Sequence, residues 1–308
     1  MEIINSNHPF LLNSETTATI GFFDGVHIGH RFLLEQLKKQ ADTHQLPSMA
    51  ITFLQHPRKV LKSDFQPALL TTLDERLELL SLSGIDYCLL LDFTPSLSQL
   101  SAKEFIQNIL KKEWRVKLLL IGYDHRFGKN RQEDFEDYVE YGKACGIEII
   151  HALKLPDIQV SSTLIRNCLL NKKLKEANGM LSYSYCLEGK VIDGDKTGRK
   201  IGFPTANLEV IDKNKIIPGE GIYASRVYWK QQQYTGMAYI GKRPTVTNQG
   251  ERRIEVNLFD FSGDLYGETL RLKFVEFLRE DKYFESLDEL VAQLFADREA
   301  AIKVLTVQ

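Results

Sequence analysis

The feature that most constrains the fold is a change in the pattern of apolar residues near position 182. Before this point, short apolar runs alternate with segments of helical periodicity; after it, β-branched and aromatic runs follow one another, separated by Gly, Asp and Asn turns. Strand–helix alternation predicts a mainly parallel, Rossmann-like sheet covered by helices, whereas the strand-only pattern predicts a mainly antiparallel β-barrel. We therefore expect two domains, 1–182 and 183–308.

Individual elements follow from periodicity and capping signals. In the first half the predicted strands are 17–22, 50–53, 87–91, 117–121 and 147–150, and the predicted helices are 30–43, 72–83 and 101–114. In the second half the predicted strands are 184–191, 222–229, 234–240, 254–259 and 269–277. A capping box, Ser286-x-x-Glu289, predicts a C-terminal helix.

Composition narrows the class of protein. The chain has 308 residues, 43% of them hydrophobic, which suffices for two cores, and its formal charge of -2 provides no overall attraction to nucleic acid or an anionic membrane. It lacks a signal-peptide pattern and any apolar run near the roughly 20 residues that span a bilayer. The four cysteines are scattered, which favours reduced thiols over a disulfide framework or zinc site. We expect a cytoplasmic protein.

The segment 21–30, Gly-Phe-Phe-Asp-Gly-Val-His-Ile-Gly-His, follows a predicted strand and enters a predicted helix. Its glycines allow the backbone to approach a phosphate chain, and the helix start directs free N–H groups to the same place. His27 and His30 add donors that can stabilise charge on a leaving pyrophosphate. This pattern predicts a nucleotide-phosphate site.

The segment resembles the His-x-Gly-His signature of nucleotidyltransferases, and specifically the FMN adenylyltransferase half of bacterial bifunctional riboflavin kinase/FAD synthetases. Three later segments match the family in order: Thr52-Phe53 with His56-Pro57, Gly122-Tyr123-Asp124 with Arg126-Phe127-Gly128 and Arg131, and Ser161-Ser162-Thr163-Leu164-Ile165-Arg166. The resemblance implies direct adenylyl transfer with His27, His30 and Arg166 as catalytic residues. It further implies ATP contacts from Gly21, Phe22, Phe23, Asp24, Gly25, Ser161, Ser162 and Thr163, and flavin contacts from Asp124, Phe127 and Arg131.

The second half contains a Gly-rich segment, 189–208, that includes Gly-Phe-Pro-Thr-Ala-Asn at 202–207, and no Walker P-loop. It resembles the riboflavin kinase signature, and further matches follow at 218–224, 240–245, 260–267 and 277–279. The resemblance implies ATP contacts from Gly189, Lys190, Gly198, Gly202, Thr205 and Asn207, with Thr205 and Asn207 also serving Mg²⁺. It places a flavin contact at Arg279 and the catalytic carboxylate at Glu255.

Three nearby acids compete for the role of kinase base. Asp260 and Asp264 flank the turn signal Ser262-Gly263, where Asp commonly bonds its own backbone. Glu255 instead alternates with Ile254 and Val256 along a predicted strand, so it lies on the face opposite the core. Together with the family match, this favours Glu255.

The resemblance implies an enzyme that phosphorylates riboflavin to FMN and adenylylates FMN to FAD, with ATP and Mg²⁺ in both steps. Residues that depart from the family pattern are Gln55, Glu133, Tyr239 and Asn257. Gln55 and Glu133, in the first half, motivate one alternative, a riboflavin kinase whose first domain is altered; a second is a flavin-binding regulator without turnover. The expected partners are small molecules, not nucleic acid or membrane, and the sequence leaves self-association open.

Overall fold

The computed structural model describes residues 1–7, 12–60, 67–123, 125–129, 132–194, 198, 201–242 and 252–306. They form two compact units, Met1–Ser161 and Ser162–Gln308, which are described separately.

The first unit is built on a parallel sheet of six described strands, in the order β1-β4-β3-β2-β5-β6. These strands are β1 (Glu2–Asn5), β2 (Thr16–Ile20), β3 (Ser48–Phe53), β4 (Tyr87–Leu91), β5 (Val116–Ile121) and β6 (Glu148–His151). Apolar clusters pack on the sheet: one contains Ile51, Phe105 and Leu119, the other Leu34, Ala50 and Leu120. Both faces are therefore covered, as a parallel sheet requires.

The helices of this unit are α1 (Ile28–His44), α2 (Pro57–Val60), α3 (Leu73–Ser81), α4 (Pro95–Ser98), α5 (Ala102–Glu104) and α6 (Phe135–Cys145). A π-helix, Phe105–Glu113, continues directly from α5. Capping boxes start α3 at Thr72 with Glu75, and α6 at Asp134 with Asp137. Each box satisfies backbone N–H groups that the first helical turn leaves unpaired.

The second unit begins with two helices, α7 (Ser162–Leu170) and α8 (Leu174–Leu181), which pack against its barrel. The Asn178 amide donates to the Phe274 carbonyl (3.0 Å) and accepts from the Tyr185 N–H (2.8 Å), while the Gly219 N–H donates to the Leu169 carbonyl (2.9 Å). These bonds join both helices to β-strand backbone and to the loop before the third barrel strand.

The barrel is closed and antiparallel, with the described strands in the order β10-β11-β8-β7-β12-β9. They are β7 (Cys186–Ile192), β8 (Ala206–Val210), β9 (Gly221–Trp229), β10 (Gln232–Lys242), β11 (Arg252–Leu258) and β12 (Thr269–Arg279). The last helix, α9 (Leu287–Thr306), packs on the barrel through Val291, Leu294, Ala301 and Leu305. The Ser286 hydroxyl accepts from the Glu289 N–H (3.2 Å), as a cap at this position should.

The predicted fold class, a parallel α/β domain followed by an antiparallel barrel with a C-terminal helix, is confirmed. β2 ends at Ile20, two residues before the predicted end, because the backbone turns at Phe23, whose φ is +54°. β1 (Glu2–Asn5) and β8 (Ala206–Val210) were not predicted from the sequence. β8 overlaps the segment that was predicted to bind phosphate. The four cysteines are free thiols; burial raises the pKa of Cys88 to about 12. Among the described residues, we find no helix with the length and apolarity needed to cross a bilayer.

Candidate active sites

The loop between β2 and α1 has a strained backbone at three close positions. The φ values of Phe23, Gly25 and Val26 are +54°, +81° and +36°. Phe23 and Val26 are not glycines, yet their backbone is in the left-handed region. A bond from the Val26 N–H to the Phe23 carbonyl (3.0 Å) closes the turn. Strain of this kind persists only where the surroundings fix it, and it clusters at ligand sites.

A buried carboxylate, Asp24, fixes this loop. It is 3% exposed and accepts from the Leu70 and Thr71 N–H groups (both 3.0 Å) and from the Thr71 hydroxyl (3.1 Å). The Gly25 N–H in turn donates to the Thr71 hydroxyl (3.0 Å). Asp24, predicted to contact ATP, thus anchors the loop to the segment that precedes α3.

A buried guanidinium, Arg76 of α3, holds the ends of two neighbouring strands. It is 2% exposed, and it donates to the carbonyls of Phe22 (3.1 Å) and Phe53 (2.5 Å), just beyond β2 and at the end of β3. The guanidinium also lies 4.3 Å from the centre of the Phe22 ring. Burial lowers the pKa of Arg76 to about 10, which leaves it charged at neutral pH.

His27 and His30 lie together at the start of α1. Their rings stack with centroids 3.6 Å apart, and His27 caps the helix by accepting from the His30 N–H at Nδ1 (3.3 Å). Because Nδ1 accepts this bond, the proton of a neutral His27 belongs on Nε2, which can then donate to a ligand. A Cβ at Gly29 would lie 3.0 Å from the Val160 side chain and 3.3 Å from the His27 ring, so a larger residue here would crowd the histidine pair.

The His30 ring is a neutral imidazole in the free protein. Burial, helped by the neighbouring His27 and His125, holds the pKa of His30 well below its ordinary value of 6.5. Its Nδ1 is buried and has no hydrogen-bond partner among the described residues. His30 therefore adds no full positive charge of its own to this site.

The predicted flavin loop packs into the core of the first unit. The Phe127 ring is 9% exposed and stacks on Tyr138 (4.4 Å, 7°), while a Cβ at Gly128 would lie 2.8 Å from the Ala102 nitrogen. Asp124 and Arg131, the other predicted flavin contacts of this loop, lie outside the described residues. Of the departures from the family pattern, Gln55 is exposed and Glu133 is partly buried.

The predicted phosphate segment 161–166 lies at the start of α7 in the second unit. Ser161 and Thr163 are exposed, Ser162 is the first helical residue, and Arg166 is partly buried one turn later. A helix start with a nearby arginine suits a phosphate group.

In the second unit, Glu255 of β11 lies at the centre of a polar network. Its carboxylate accepts from the Thr205 hydroxyl (2.9 Å) and pairs with Arg253 (2.8 Å), and the same arginine donates to the Asn207 side-chain oxygen (3.0 Å). Ile254 and Val256 are 2% and 0% exposed, which confirms that Glu255 is on the face opposite the core. The structure thus brings together three predicted kinase residues, Thr205, Asn207 and Glu255.

Glycines and an amide hold the segment before β8 against this network. A Cβ at Gly194 would lie 2.0 Å from the Asn207 amide nitrogen, and a Cβ at Gly198 would lie 2.1 Å from the Phe203 carbonyl oxygen. Neither position has room for a side chain. Asn257, a departure from the family pattern, donates to the Pro204 carbonyl (2.7 Å) and so supports the residue before Thr205. Gly202 has a φ of +79°, which favours glycine.

A cleft of about 480 Å³ opens beside Thr205. Its lining is apolar on the barrel side and aromatic and polar on the loop 259–268; the residues are Val191, Pro204, Thr205, Ala206, Val256, Leu258, Phe261, Ser262, Gly263, Asp264, Leu265 and Tyr266. A cleft of this size can hold a nucleoside.

Other predicted kinase residues take part in packing or ion pairs or lie at the surface. Arg279 forms a two-pronged ion pair with the buried Asp297 of α9 (2.6 and 2.8 Å). Gly189 is buried in β7, with Leu208 of β8 3.0 Å from where its Cβ would be, and Lys190 is exposed. Asp264 accepts from the Tyr266 N–H (3.0 Å), the local turn bond we predicted, whereas Asp260 pairs with Arg298 (2.8 Å).

Sequence reasoning missed Arg76, Thr71 and Arg253. Alternation places Arg253 on the Glu255 face, so that residue could have been found from the strand pattern. A single arginine in an amphipathic helix, by contrast, ordinarily indicates a solvent-exposed side chain, and no local pattern marked Arg76 as buried.

Comparisons with known proteins agree with this division into two sites. The FAD synthetase family model matches residues 11–164, and the riboflavin kinase family model matches residues 181–305. Bifunctional riboflavin kinase/FMN adenylyltransferases are similar over most of their length: that of Escherichia coli K12 is 38% identical (91% of this chain, 89% of the relative), and that of Listeria monocytogenes is 34% identical (97% and 96%).

A solved structure is similar over nearly the whole chain. The crystal structure of a protein described as a macrolide-efflux protein, from Streptococcus pneumoniae, has a TM-score of 0.86 and 32% identity, and the match covers 98% of this chain and 99% of that one. The two matched family models, the full-length relatives and the paired sites together show that this chain belongs to the bifunctional riboflavin kinase/FMN adenylyltransferase family.

Proposed function

We propose that this enzyme phosphorylates riboflavin to FMN in the second unit and adenylylates FMN to FAD with the histidine pair of the first. The observation that carries the proposal is the presence of two polar constellations on one chain, the stacked His27/His30 pair and the Glu255 network. The matched relatives, which combine both activities in one protein, support it. We assign the activities to residues 1–182 and 183–308, and the compartment to the cytoplasm.

In the adenylylation step, an FMN phosphate oxygen bonds to the α-phosphorus of ATP while the bond from that phosphorus to the bridging oxygen breaks, releasing pyrophosphate. Negative charge builds on the departing oxygens. His27 and His30, held by the helix cap and ring stacking, donate hydrogen bonds to this charge. Gly21 to Gly25 approach the ATP phosphates, Ser161 to Thr163 help to hold them, and Arg166 neutralises the leaving phosphates; for these last residues the support is the sequence motif.

The flavin contacts of this step are proposed at Asp124, Phe127 and Arg131. The Phe127 ring is covered by Tyr138, so its contribution is to hold the loop in place.

In the kinase step, the oxygen of the riboflavin primary hydroxyl bonds to the γ-phosphorus of ATP, and ADP leaves. Glu255 accepts the proton of that hydroxyl. Arg253 and Thr205 hold the two carboxylate oxygens in place. The cleft beside Thr205 takes the nucleoside of ATP, its apolar wall facing the base. Gly189, Lys190, Gly198 and Gly202 shape the phosphate side, and Arg279 supports the flavin side through its pair with Asp297.

Mg²⁺ fits the oxygen donors of this site. The Thr205 hydroxyl and the Asn207 side-chain oxygen both converge on the Glu255 network, and hard oxygen ligands of this kind suit Mg²⁺. When bound, the ion neutralises phosphate charge during transfer.

Product analysis tests the proposal. Riboflavin with ATP and Mg²⁺ should yield FMN and then FAD, with pyrophosphate released only in the second step. If the protein accumulates FMN and never forms FAD from supplied FMN, the kinase-only alternative holds. If neither FMN nor FAD forms while flavin still binds, the protein is the regulator that the second alternative describes.

A further inference from the structure

A tyrosine of β10, Tyr239, lies in one row with the proposed kinase residues. The strand register places Tyr239 opposite Glu255, and Glu255 opposite Asn207. Residues directly opposite each other in antiparallel strands share a face, with Cβ atoms about 4.5–5.5 Å apart. Tyr239, Glu255 and Asn207 therefore form a row on the outer face of the barrel.

The Tyr239 side chain is fixed at both ends. Its hydroxyl donates to Asp281 Oδ2 (2.7 Å), in the loop after β12. Its ring crosses Gly241 on the same strand, where a Cβ would lie 2.0 Å from the hydroxyl oxygen and 2.3 Å from Cζ. The glycine thus leaves the space that the phenol ring fills, and Asp281 holds the ring there.

The hydroxyl of Tyr239 stays protonated in this setting. Burial, followed by the hydrogen bond to Asp281 and the charges of Asp281, Glu255 and Glu220, raises the pKa of Tyr239 far above its ordinary value of 10. The hydroxyl therefore keeps the proton that it donates to Asp281 throughout the physiological pH range.

The position of this ring relative to the nucleotide cleft indicates what it faces. Thr205 lines the cleft and donates to Glu255, so the nucleotide lies on the β8 side of the row. In an in-line transfer, the attacking hydroxyl and the leaving ADP are on opposite sides of the γ-phosphorus. The acceptor molecule then lies on the β10 side, where Tyr239 is.

We propose that Tyr239, held by Asp281, is a positioning and specificity residue for riboflavin in the kinase step. Its ring forms the wall against which the uncharged, aromatic substrate packs while the substrate's hydroxyl reaches Glu255. This inference rests on the proposed function for the location of the two substrates. It adds a residue that acts on the acceptor alone.

The test is steady-state kinetics of the full chain, with KM measured separately for riboflavin and ATP. In Tyr239→Ala the riboflavin KM should rise by about tenfold or more, as expected for loss of an aromatic contact, while the ATP KM stays within about twofold. Tyr239→Phe removes the hydrogen bond and should raise the riboflavin KM by roughly threefold; Asp281→Asn replaces the carboxylate with a weaker, neutral acceptor and should raise it in the same direction. Combining the two should add nothing to Tyr239→Phe, because both act on the same hydrogen bond.

Tyr234→Phe is the matched control, since Tyr234 is also on β10 and its hydroxyl bonds only locally, to Gln232. It should leave both KM values unchanged. FMN adenylylation by the same preparations reports on folding, and if Tyr239→Ala does not fold, Tyr239→Phe and Asp281→Asn decide the matter.

An unchanged riboflavin KM in Tyr239→Phe and Asp281→Asn would overturn the inference, as would an equal rise of both KM values. The assignment of Glu255 as base is tested by a different readout. Normal kinase turnover in Glu255→Gln would contradict that assignment, whereas the role of Tyr239 is judged from KM alone.

Discussion

The Thr205 hydroxyl lies 2.9 Å from Glu255 Oε2, which connects the segment before β8 to the middle of β11. The other carboxylate oxygen pairs with Arg253 at 2.8 Å. Glu255 is therefore held by two partners, one of which, Thr205, lines the cleft.

Glu255→Gln keeps the shape of this side chain and removes its ability to accept a proton. Riboflavin phosphorylation should fall by about 10²-fold or more, while FMN adenylylation persists. The matched control is Asp260→Asn, whose carboxylate bonds Arg298. Near-normal kinase turnover in Glu255→Gln, with loss of turnover in Asp260→Asn or Asp264→Asn, would show that the base is another residue.

His27→Ala and His30→Ala should each slow FAD formation from FMN by roughly 10²-fold, because each removes a preorganised donor from the departing pyrophosphate. Riboflavin phosphorylation by the same proteins should hardly change. Both rates are measured on one preparation, so the kinase rate serves as the folding control. Equal loss of the two activities would indicate unfolding or a single shared site.

Arg76→Met should impair FAD formation by about tenfold or more and lower the stability of the first unit. The buried Phe53 carbonyl loses its partner, at about 1–3 kcal/mol, whereas the Phe22 carbonyl keeps the Thr52 hydroxyl (3.2 Å). Arg76→Lys should give an intermediate result, and Arg58→Met, on the exposed side of α2, is the control. Thermal unfolding and the rate of FAD formation are the two readouts. A normal rate of FAD formation in Arg76→Met would show that the Arg76 bond to the β2–α1 loop, at Phe22, does not support catalysis.

The neutral state of His30 predicts a pH dependence of stability. The pKa of His30 is well below 6.5 in the folded protein, so the unfolded chain binds a proton at a higher pH than the folded chain does. The contribution of neutral His30 to stability is therefore present above about pH 6.5 and is lost as the pH falls below it.

Calorimetric unfolding at pH values of about 7.5 and 5.5 measures this effect. The decrease in Tm on acidification should be smaller in His30→Gln than in the wild type. His44→Gln, on the same helix beside Glu148, is the control for the effect of a His→Gln substitution itself. A decrease that is the same in His30→Gln and wild type would contradict the buried, neutral imidazole.

The packing of α7 and α8 on the barrel predicts a difference between two fragments. Residues 183–308 should fold and keep kinase activity, but the longer fragment 162–308 should unfold at a temperature higher by at least about 5 °C, because it keeps the Asn178 bonds and the buried face of α8. Asn178→Ala in the longer fragment should lower its melting temperature and so remove part of the difference. Equal melting temperatures would mean that the two helices contribute nothing to the barrel.

The sequence predicted the fold class because the two halves differ in the period of their apolar residues, and period determines which face of an element is buried. β8 was missed because Gly, Pro and polar residues around 202–207 indicate a loop, and only pairing with β7 and β11 makes 206–210 a strand. The π-helix at Phe105–Glu113 was predicted as ordinary helix, since one widened turn hardly alters the spacing of apolar residues.

The candidate sites were predicted from motifs, which identify residues that contact substrates and omit those that hold them. His27, Thr205 and Glu255 lie in motifs. Arg76 and Asp281 are distant in sequence from the residues they bond, and their roles depend on tertiary contacts that no local pattern specifies.

The central claim, that two independent sites on one chain carry out the two steps, is tested most directly by mixing two variants. His30→Ala should convert riboflavin to FMN and stop there, and Glu255→Gln should form FAD only from supplied FMN. With riboflavin, ATP and Mg²⁺, neither variant alone should make appreciable FAD, whereas the mixture should, because FMN released by one is used by the other. A mixture that forms no more FAD than the separate variants would contradict two independent sites.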